Sequence, residues 1–325
     1  MSAFSYGWRD RRTRHGLEPG SARLILNQDG TVNLMVGATE IGQGADTAFA
    51  QMVSETLGVA YESIHVISTQ DTDVTPWDPG AYASRQTYTC APAVHAAADE
   101  LRRKILGYAA EMTGHTPAAL TVAPTAQGDA VAFARNPESV VVTLHDLAMD
   151  SFYNKDRGGQ LSAEASFKTR QNPPSFGGCF AEVEVDIELC KIRIVHILNV
   201  HDAGVLINPA LATAQVHGGM GMGIGWALYE ELLIDPATGR VYNKQPVGLQ
   251  AAHNLRHSRS GLRVCGNAGT LRRIRQQVAR RAAAHQPGPG APQRRPRRDR
   301  RRRQRHPMTP KLLFEEFVKA GLIKG

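Results

Sequence analysis

Between Ala22 and Val36 apolar and polar positions alternate, with Leu24 before and Val32, Leu34 and Val36 after the turn Asn27-Gln28-Asp29-Gly30. Successive strand residues point to opposite faces, so this predicts a hairpin with one buried face. From Phe49 the period changes: Phe49, Met52, Val53 and Leu57 recur at helical spacing, and Gly58 supplies the stop. Ile64-His65-Val66-Ile67 predicts a short strand. Thr72 to Thr87 is rich in Pro, Gly and Ser and reads as a loop. Val94 to Met112 predicts a long amphipathic helix, with Ala98, Leu101, Ile105, Ala109 and Met112 facing inward and Gly114 closing it.

Further on, Thr121–Phe133 predicts a hairpin, Leu144–Phe152 a short helix, and Asn172-Pro173-Pro174 a connection. In Phe180–Glu188, Val183, Val185 and Ile187 point one way while Glu182, Glu184, Asp186 and Glu188 point the other. Cys190-Lys191 marks a turn, and Ile192–Val200 returns as a second strand. Asn208-Pro209 opens a helix that runs through Gln215 to Leu228. Hairpins and helices are interspersed without a regular βαβ rhythm, so the expected class is α+β.

Composition changes this picture little. The chain has 325 residues, 42% hydrophobic and 21% charged, which excludes wholly disordered, collagen-like and coiled-coil classes. No apolar run reaches the ~18 residues of a membrane helix. The start lacks the apolar segment of a secretory signal, so a cytoplasmic protein is expected. Cys90, Cys179, Cys190 and Cys265 form no CxxC and build neither a disulfide framework nor an iron–sulfur site.

Charge changes it more. Residues 246–307 hold 17 Arg, no Lys and one acid, Asp299, a local charge of +16, while the remainder carries 21 bases and 29 acids, or −8. Between Arg294 and Arg305 nine of twelve residues are Arg. Such a run repels itself and attracts phosphates without discrimination. It can be read as a nucleic-acid arm, as a solvated tract without fixed structure, or as a GC-rich gene read in the wrong frame.

Three glycine-containing segments could carry chemistry. Gly37-Ala38-Thr39-Glu40-Ile41-Gly42-Gln43-Gly44 lies between a strand and a helix. There, glycines let a ligand approach the backbone and the helix start offers free N–H groups to an anion. It is neither a Rossmann fingerprint nor a P-loop. Asp78-Pro79-Gly80-Ala81-Tyr82-Ala83-Ser84-Arg85-Gln86 suits either a cradle for a polar ligand or a plain surface loop. Gln215 to Trp226 places repeated glycines in a helix, each costing up to about 1 kcal/mol relative to Ala, which implies close packing against a backbone or a flat ligand. His217 has no second metal ligand at suitable spacing and reads as a hydrogen-bonded helix residue. Met220 and Met222 read as core.

Taken together, GATEIGQG (37–44), DTDVTPWDPGAYASRQ (71–86), the stretch from Phe180 to Glu231 and the tail MTPKLLFEEFVKAGLI (308–323) resemble the molybdenum-binding subunit of the xanthine dehydrogenase and aldehyde oxidase family. The resemblance runs from about Ala22 to Asn243 and resumes at the tail. It implies a molybdopterin-binding fold of two packed α+β units. It also implies oxidative hydroxylation of an electron-poor carbon in a purine, N-heterocycle or aldehyde. The metal would be held by molybdopterin, in its cytosine dinucleotide form, rather than by protein thiolates. Electrons would leave through [2Fe-2S] centres and FAD on partner subunits.

By motif position the resemblance implies cofactor contacts at Ile41, Gly42, Gln43, Gly44, Gly80, Ala81, Tyr82, Ala83, Ser84, Arg85 and Gln215, with the metal near Gln43, Ala81 and Tyr82. The turn at 42–44, the loop at 80–85 and the helix entry near 215 are expected to line one pocket. An iron–sulfur subunit and an FAD-binding subunit are the implied partners; neither a membrane nor a nucleic acid is.

Two departures qualify the resemblance. The family's subunit has a whole N-terminal half before the position of Ala22, so the chain is expected to be truncated. The family's Gly-Glu-Pro-Pro motif, whose Glu is the base, falls near Arg280 and Arg281, and this chain has no Glu between Glu231 and Glu315. Arginine stays protonated at any working pH and cannot replace it. The chain is therefore expected to be inactive alone, a cofactor-handling or assembly module being the alternative. The expected organisation is an atypical segment at 1–21, molybdopterin-binding units at 22–175 and 176–245, an Arg-rich stretch without order at 246–307, and a C-terminal helix at 308–325.

Overall fold

The alternation after Ala22 produces an antiparallel pair, β2 (Pro19–Leu26) and β3 (Val32–Val36), in which Leu24 faces Leu34 and Leu26 faces Val32. All four are buried, and so are Ala22 and Val36. Gly30 turns the chain with φ 85. The computed structural model describes residues 2–6, 19–67, 71–82, 84–169, 175–243, 259–265 and 307–323. It divides into two units, Arg9–Asn172 and Met1–Trp8 with Pro173–Gly325.

In the first unit, β4 (Ile64–Ile67) adds to β3 in parallel and β8 (Ser162–Lys168) adds to β2 antiparallel, so the sheet runs β4-β3-β2-β8. Helices α1 (Ala45–Val53) and α2 (Gln86–Thr113) supply its core with Phe49, Leu101 and Ile105. Burying such side chains contributes roughly 1.5–3 kcal/mol each. The approach of β2 to α2 is close: a Cβ on Gly20 would lie 2.3 Å from the Thr89 carbonyl oxygen, so only glycine fits there. A second sheet, β5-β6-β7, is formed by Leu120–Thr125, Gly128–Phe133 and Asn136–Thr143. It leads into α3 (Leu144–Tyr153), capped by the Thr143 hydroxyl accepting from the Asp146 amide at 3.1 Å.

Helix α2 begins at Gln86, two turns before the predicted Val94. Pro92 lies inside it and removes one backbone donor. The early turns are held by burial of Gln86, Thr87, Thr89 and Cys90, a tertiary effect that periodicity does not register.

In the second unit, β1 (Ser2–Tyr6), β9 (Ser175–Asp186), β10 (Lys191–Asp202) and β11 (Arg259–Cys265) form one sheet in the order β1-β9-β10-β11. Residues 246–307 were expected to hold no ordered element, and Arg259–Cys265 departs from that: it pairs in parallel with His196–Asp202. Alternation of Leu262 and Val264 with arginine gives this short piece strand character. The other residues of 246–307, Arg281 and Arg294–Arg305 included, lie outside the described residues apart from Pro307.

Helix α4 (Pro209–Leu228) starts as its sequence predicts: Asn208 caps it, its side chain accepting from the Leu211 amide at 3.0 Å, and Pro209 follows. Val216, Met220, Ile224, Ala227 and Leu228 pack with Cys179 and Ile197 of the sheet. Met222 departs from its core reading, because it falls on the opposite face and is 62% exposed. Val183 and Val185 are likewise exposed, so the alternation in β9 does not mark a buried face at that end. Helix α5 (Pro310–Lys319) closes the described chain. Among the described residues no helix is long and apolar enough to cross a membrane.

Candidate functional site

Two of the predicted segments meet in the first unit. The turn after β3 is built by Glu40, whose carboxylate accepts from the backbone amides of Gly42 at 2.7 Å, Gly44 at 3.0 Å and Asp46 at 3.1 Å. Burial pushes this carboxyl upward, but the amides of Asp46, Gly44 and Gly42 outweigh it and hold its pKa below the ordinary value. Gly42 and Gly44 take φ 92 and 80, a region open to glycine. Replacing Glu40 with Ala is expected to lower stability by about 1–2 kcal/mol, measured by urea unfolding of the full chain. Glu40→Gln, which keeps one acceptor oxygen, should lose less than half of that.

The Gln43 carboxamide is committed within the chain. Its Nε2 donates to the Thr39 carbonyl at 2.9 Å and to Gln86 Oε1 at 2.7 Å, and its Oε1 accepts from the Ile41 amide at 2.6 Å. Gln86, 5% exposed, in turn donates from Nε2 to the Thr39 carbonyl at 3.0 Å. The turn and the start of α2 are thus tied across 43 positions of sequence.

The loop before α2 is shaped by an internal ion pair. Arg85 Nη1 donates to Asp78 Oδ1 at 2.7 Å and to the Gly80 carbonyl at 3.1 Å, and Nη2 donates to the Pro19 carbonyl at 2.7 Å. The two side chains are 3% and 1% exposed. Asp78 Oδ1 also accepts from the Gly80 amide at 2.8 Å. Its other oxygen accepts from the Cys90 thiol at 3.4 Å. Burial, followed by the Asp78 charge, pushes that thiol up to about 12, so it stays protonated and unreactive.

Ser84, with φ 53, is strained in the left-handed region immediately before the helix, a conformation found where surrounding structure over-determines it. Helix α2 has no side-chain cap hydrogen bond at its N-terminus, and its first residues, Gln86 and Thr87, are buried.

Gly80, Ala81, Tyr82, Ser84 and Arg85 therefore share one loop that is tied to Ile41, Gly42, Gln43 and Gly44. Ala83 lies outside the described residues. Ile41 and Tyr82 are 67% and 42% exposed. Gln215 stands on α4 in the other unit, so the meeting shown is of the first two segments. Sequence reading missed Glu40, Asp78 and Gln86 as site-building residues. The spacing of Glu40 before two glycines was a usable signal for an amide-capping carboxylate. Nothing local to Gln86 marked its partner. Among the described residues no three His, Cys, Asp or Glu side chains gather as a metal-ligand set.

Comparison with known proteins bears on what such a site holds. The molybdopterin cofactor-binding domain family matches residues 1–250. The chain is 58% identical over 228 residues to the putative xanthine dehydrogenase molybdenum-binding subunit XdhA of Escherichia coli K12, covering 70% of this chain and 30% of that protein. It is 32% identical over 240 residues to the aldehyde oxidoreductase molybdenum-binding subunit PaoC of the same strain, covering 72% and 30%. The chain thus spans about a third of the length of these relatives. Among solved structures, the reconstituted CO dehydrogenase of Oligotropha carboxidovorans superposes with a TM-score of 0.73 at 20% identity, over 99% of this chain and 40% of that one; at that identity the likeness speaks for the fold.

Proposed function

The chain belongs to the molybdenum-binding subunits of the xanthine dehydrogenase family, and from that membership we propose that its first unit is a backbone cradle for molybdenum–molybdopterin. The observation that carries this reading is the tie between the Gly42–Gly44 turn and the Gly80–Gln86 loop through Gln43 and Gln86. The residues present fit the group. A Cβ placed on Gly42 would meet nothing within 4 Å, and one on Gly80 only the Tyr82 ring at 3.9 Å, so the backbone of both segments lies open to an approaching ligand. The form proposed is the cytosine dinucleotide, which follows from the resemblance to the family and not from the geometry of the site.

When bound, the cofactor supplies the oxygen-transfer and electron chemistry of hydroxylation. The chain's own residues bind and orient. Glu40 holds the turn by taking up the amides of Gly42, Gly44 and Asp46, and Asp78 with Arg85 holds the loop, so that the glycine backbone surface of the two segments rather than side-chain charge faces the ligand. Arg85 and Gln43 act from behind this surface, since the Arg85 Nη atoms donate to Asp78, Gly80 and Pro19 and the Gln43 amide donates to Thr39 and Gln86.

The whole assembly is read as a cytoplasmic hydroxylase acting on a purine, an N-heterocycle or an aldehyde, with iron–sulfur and FAD-binding subunits as electron acceptors. This chain is read as cofactor-holding and inactive alone. It has no Glu between Glu231 and Glu315 to serve as base, a loss worth about 10²–10⁴-fold in rate. The test is to purify the full chain from a host that makes the cofactor. Molybdenum is then measured by mass spectrometry and pterin by fluorescence after oxidation. Both should co-purify in equal amounts, without xanthine or aldehyde turnover. Absence of molybdenum and pterin above background overturns the reading.

A further inference from the structure

The Gln43–Gln86 contact does more than hold two segments near each other. Both carboxamides donate to one acceptor, the Thr39 carbonyl, at 2.9 and 3.0 Å, and they are joined to each other at 2.7 Å. The resulting triangle spans the exit of β3 and the first residue of α2. Gln86 is 5% exposed, and burial makes each of its hydrogen bonds costly to leave unmade. Its neighbour Arg85 anchors the loop to Asp78, Gly80 and Pro19. Glu40 separately fixes the amides of Gly42 and Gly44. Each ligand-facing segment therefore has its own internal brace, and the amide triangle is the brace between them.

We propose that Gln86 is a positioning residue whose carboxamide, bonded to Gln43 and to the Thr39 carbonyl, locks the Gly37–Gly44 turn to the entry of α2 so that both segments meet the pterin as one rigid body. The pterin part rests on the function proposed above; the rigid coupling stands on the hydrogen bonds alone. Gln86 touches no reacting atom and acts through Gln43 and the backbone.

The experiment compares the full chain with Gln86→Met, Gln43→Met and the double variant. Methionine keeps the length and bulk of the side chain and removes its hydrogen bonds. Hydrogen exchange read by mass spectrometry should rise about tenfold in peptides covering 38–46 when Gln86 alone is changed, while peptides covering the 120–143 sheet stay as in the parent. The double variant should exchange no faster at 38–46 than the faster single variant, because one network is being removed twice. Unchanged exchange at 38–46, an equal rise at 120–143, or additive effects would each overturn the proposal.

In the same preparations pterin per chain should fall about tenfold in Gln86→Met. Undiminished pterin alongside raised exchange would overturn the cofactor role of Gln86. A parent chain without pterin defeats the function proposed above, and the exchange comparison still decides the coupling.

Discussion

Replacing Arg85 with Met is expected to cost the full chain about 3–5 kcal/mol, because it leaves the Asp78 carboxylate buried without its partner. The two side chains are 3% and 1% exposed and 2.7 Å apart, so solvent cannot screen the charge that remains. The carbonyls of Gly80 and Pro19 lose their donors in the same step. Asp78→Asn together with Arg85→Met should recover a large part of the loss. Asparagine keeps an oxygen for the Gly80 amide and leaves no buried charge behind. The ordering is the diagnostic: the double variant should be more stable than Arg85→Met alone. Urea unfolding followed by circular dichroism measures it. A single-variant loss below about 1 kcal/mol, or additive losses, would show that the pair does not brace the loop.

The same pair shows where sequence reading of the site ran short. Arg85 stands in the motif that resembles a cofactor loop, and its charge invites assignment to a ligand. The structure spends that charge on Asp78, seven positions earlier, and on two backbone carbonyls. A loop that looked surface-like is anchored by side chains buried beneath it. The Gln43–Gln86 tie is harder still to read, since amide pairing carries no periodicity and the partners lie far apart in sequence.

Fold legibility followed the same division between local and distant causes. The β2–β3 hairpin, α3, the β9–β10 hairpin and the Asn208–Pro209 start of α4 are each set by alternation, turn residues or a cap within a dozen positions. Three of the strands missed have remote partners, β1 on β9, β8 on β2, and β11 on β10; the fourth, β7, pairs with its neighbour β6 through an irregular register. Met222 was misread because glycines and apolar residues surround α4 on all sides, and amphipathic period no longer distinguishes its faces.

Acidification is expected to weaken the second unit through His201. This residue is on β10, paired with Gly177 across β9 and with Val264 across β11, and is fully buried. Burial lowers its pKa from 6.5 to about 4. Above pH 6.5 the imidazole is neutral in both folded and unfolded chains, and its linkage costs nothing. Between pH 6.5 and 4 the unfolded chain takes up a proton that the folded chain refuses, so stability falls with pH. One pKa unit corresponds to 1.36 kcal/mol, so the loss approaches about 3 kcal/mol at pH 4. Other histidines and carboxylates titrate over the same range, and a His201→Gln comparison removes them. The stability difference between parent and variant should shift by about 3 kcal/mol from pH 7 to pH 4, in the direction that penalises the parent at low pH. A difference that stays flat over that range would mean that His201 is not held neutral by its burial in the sheet.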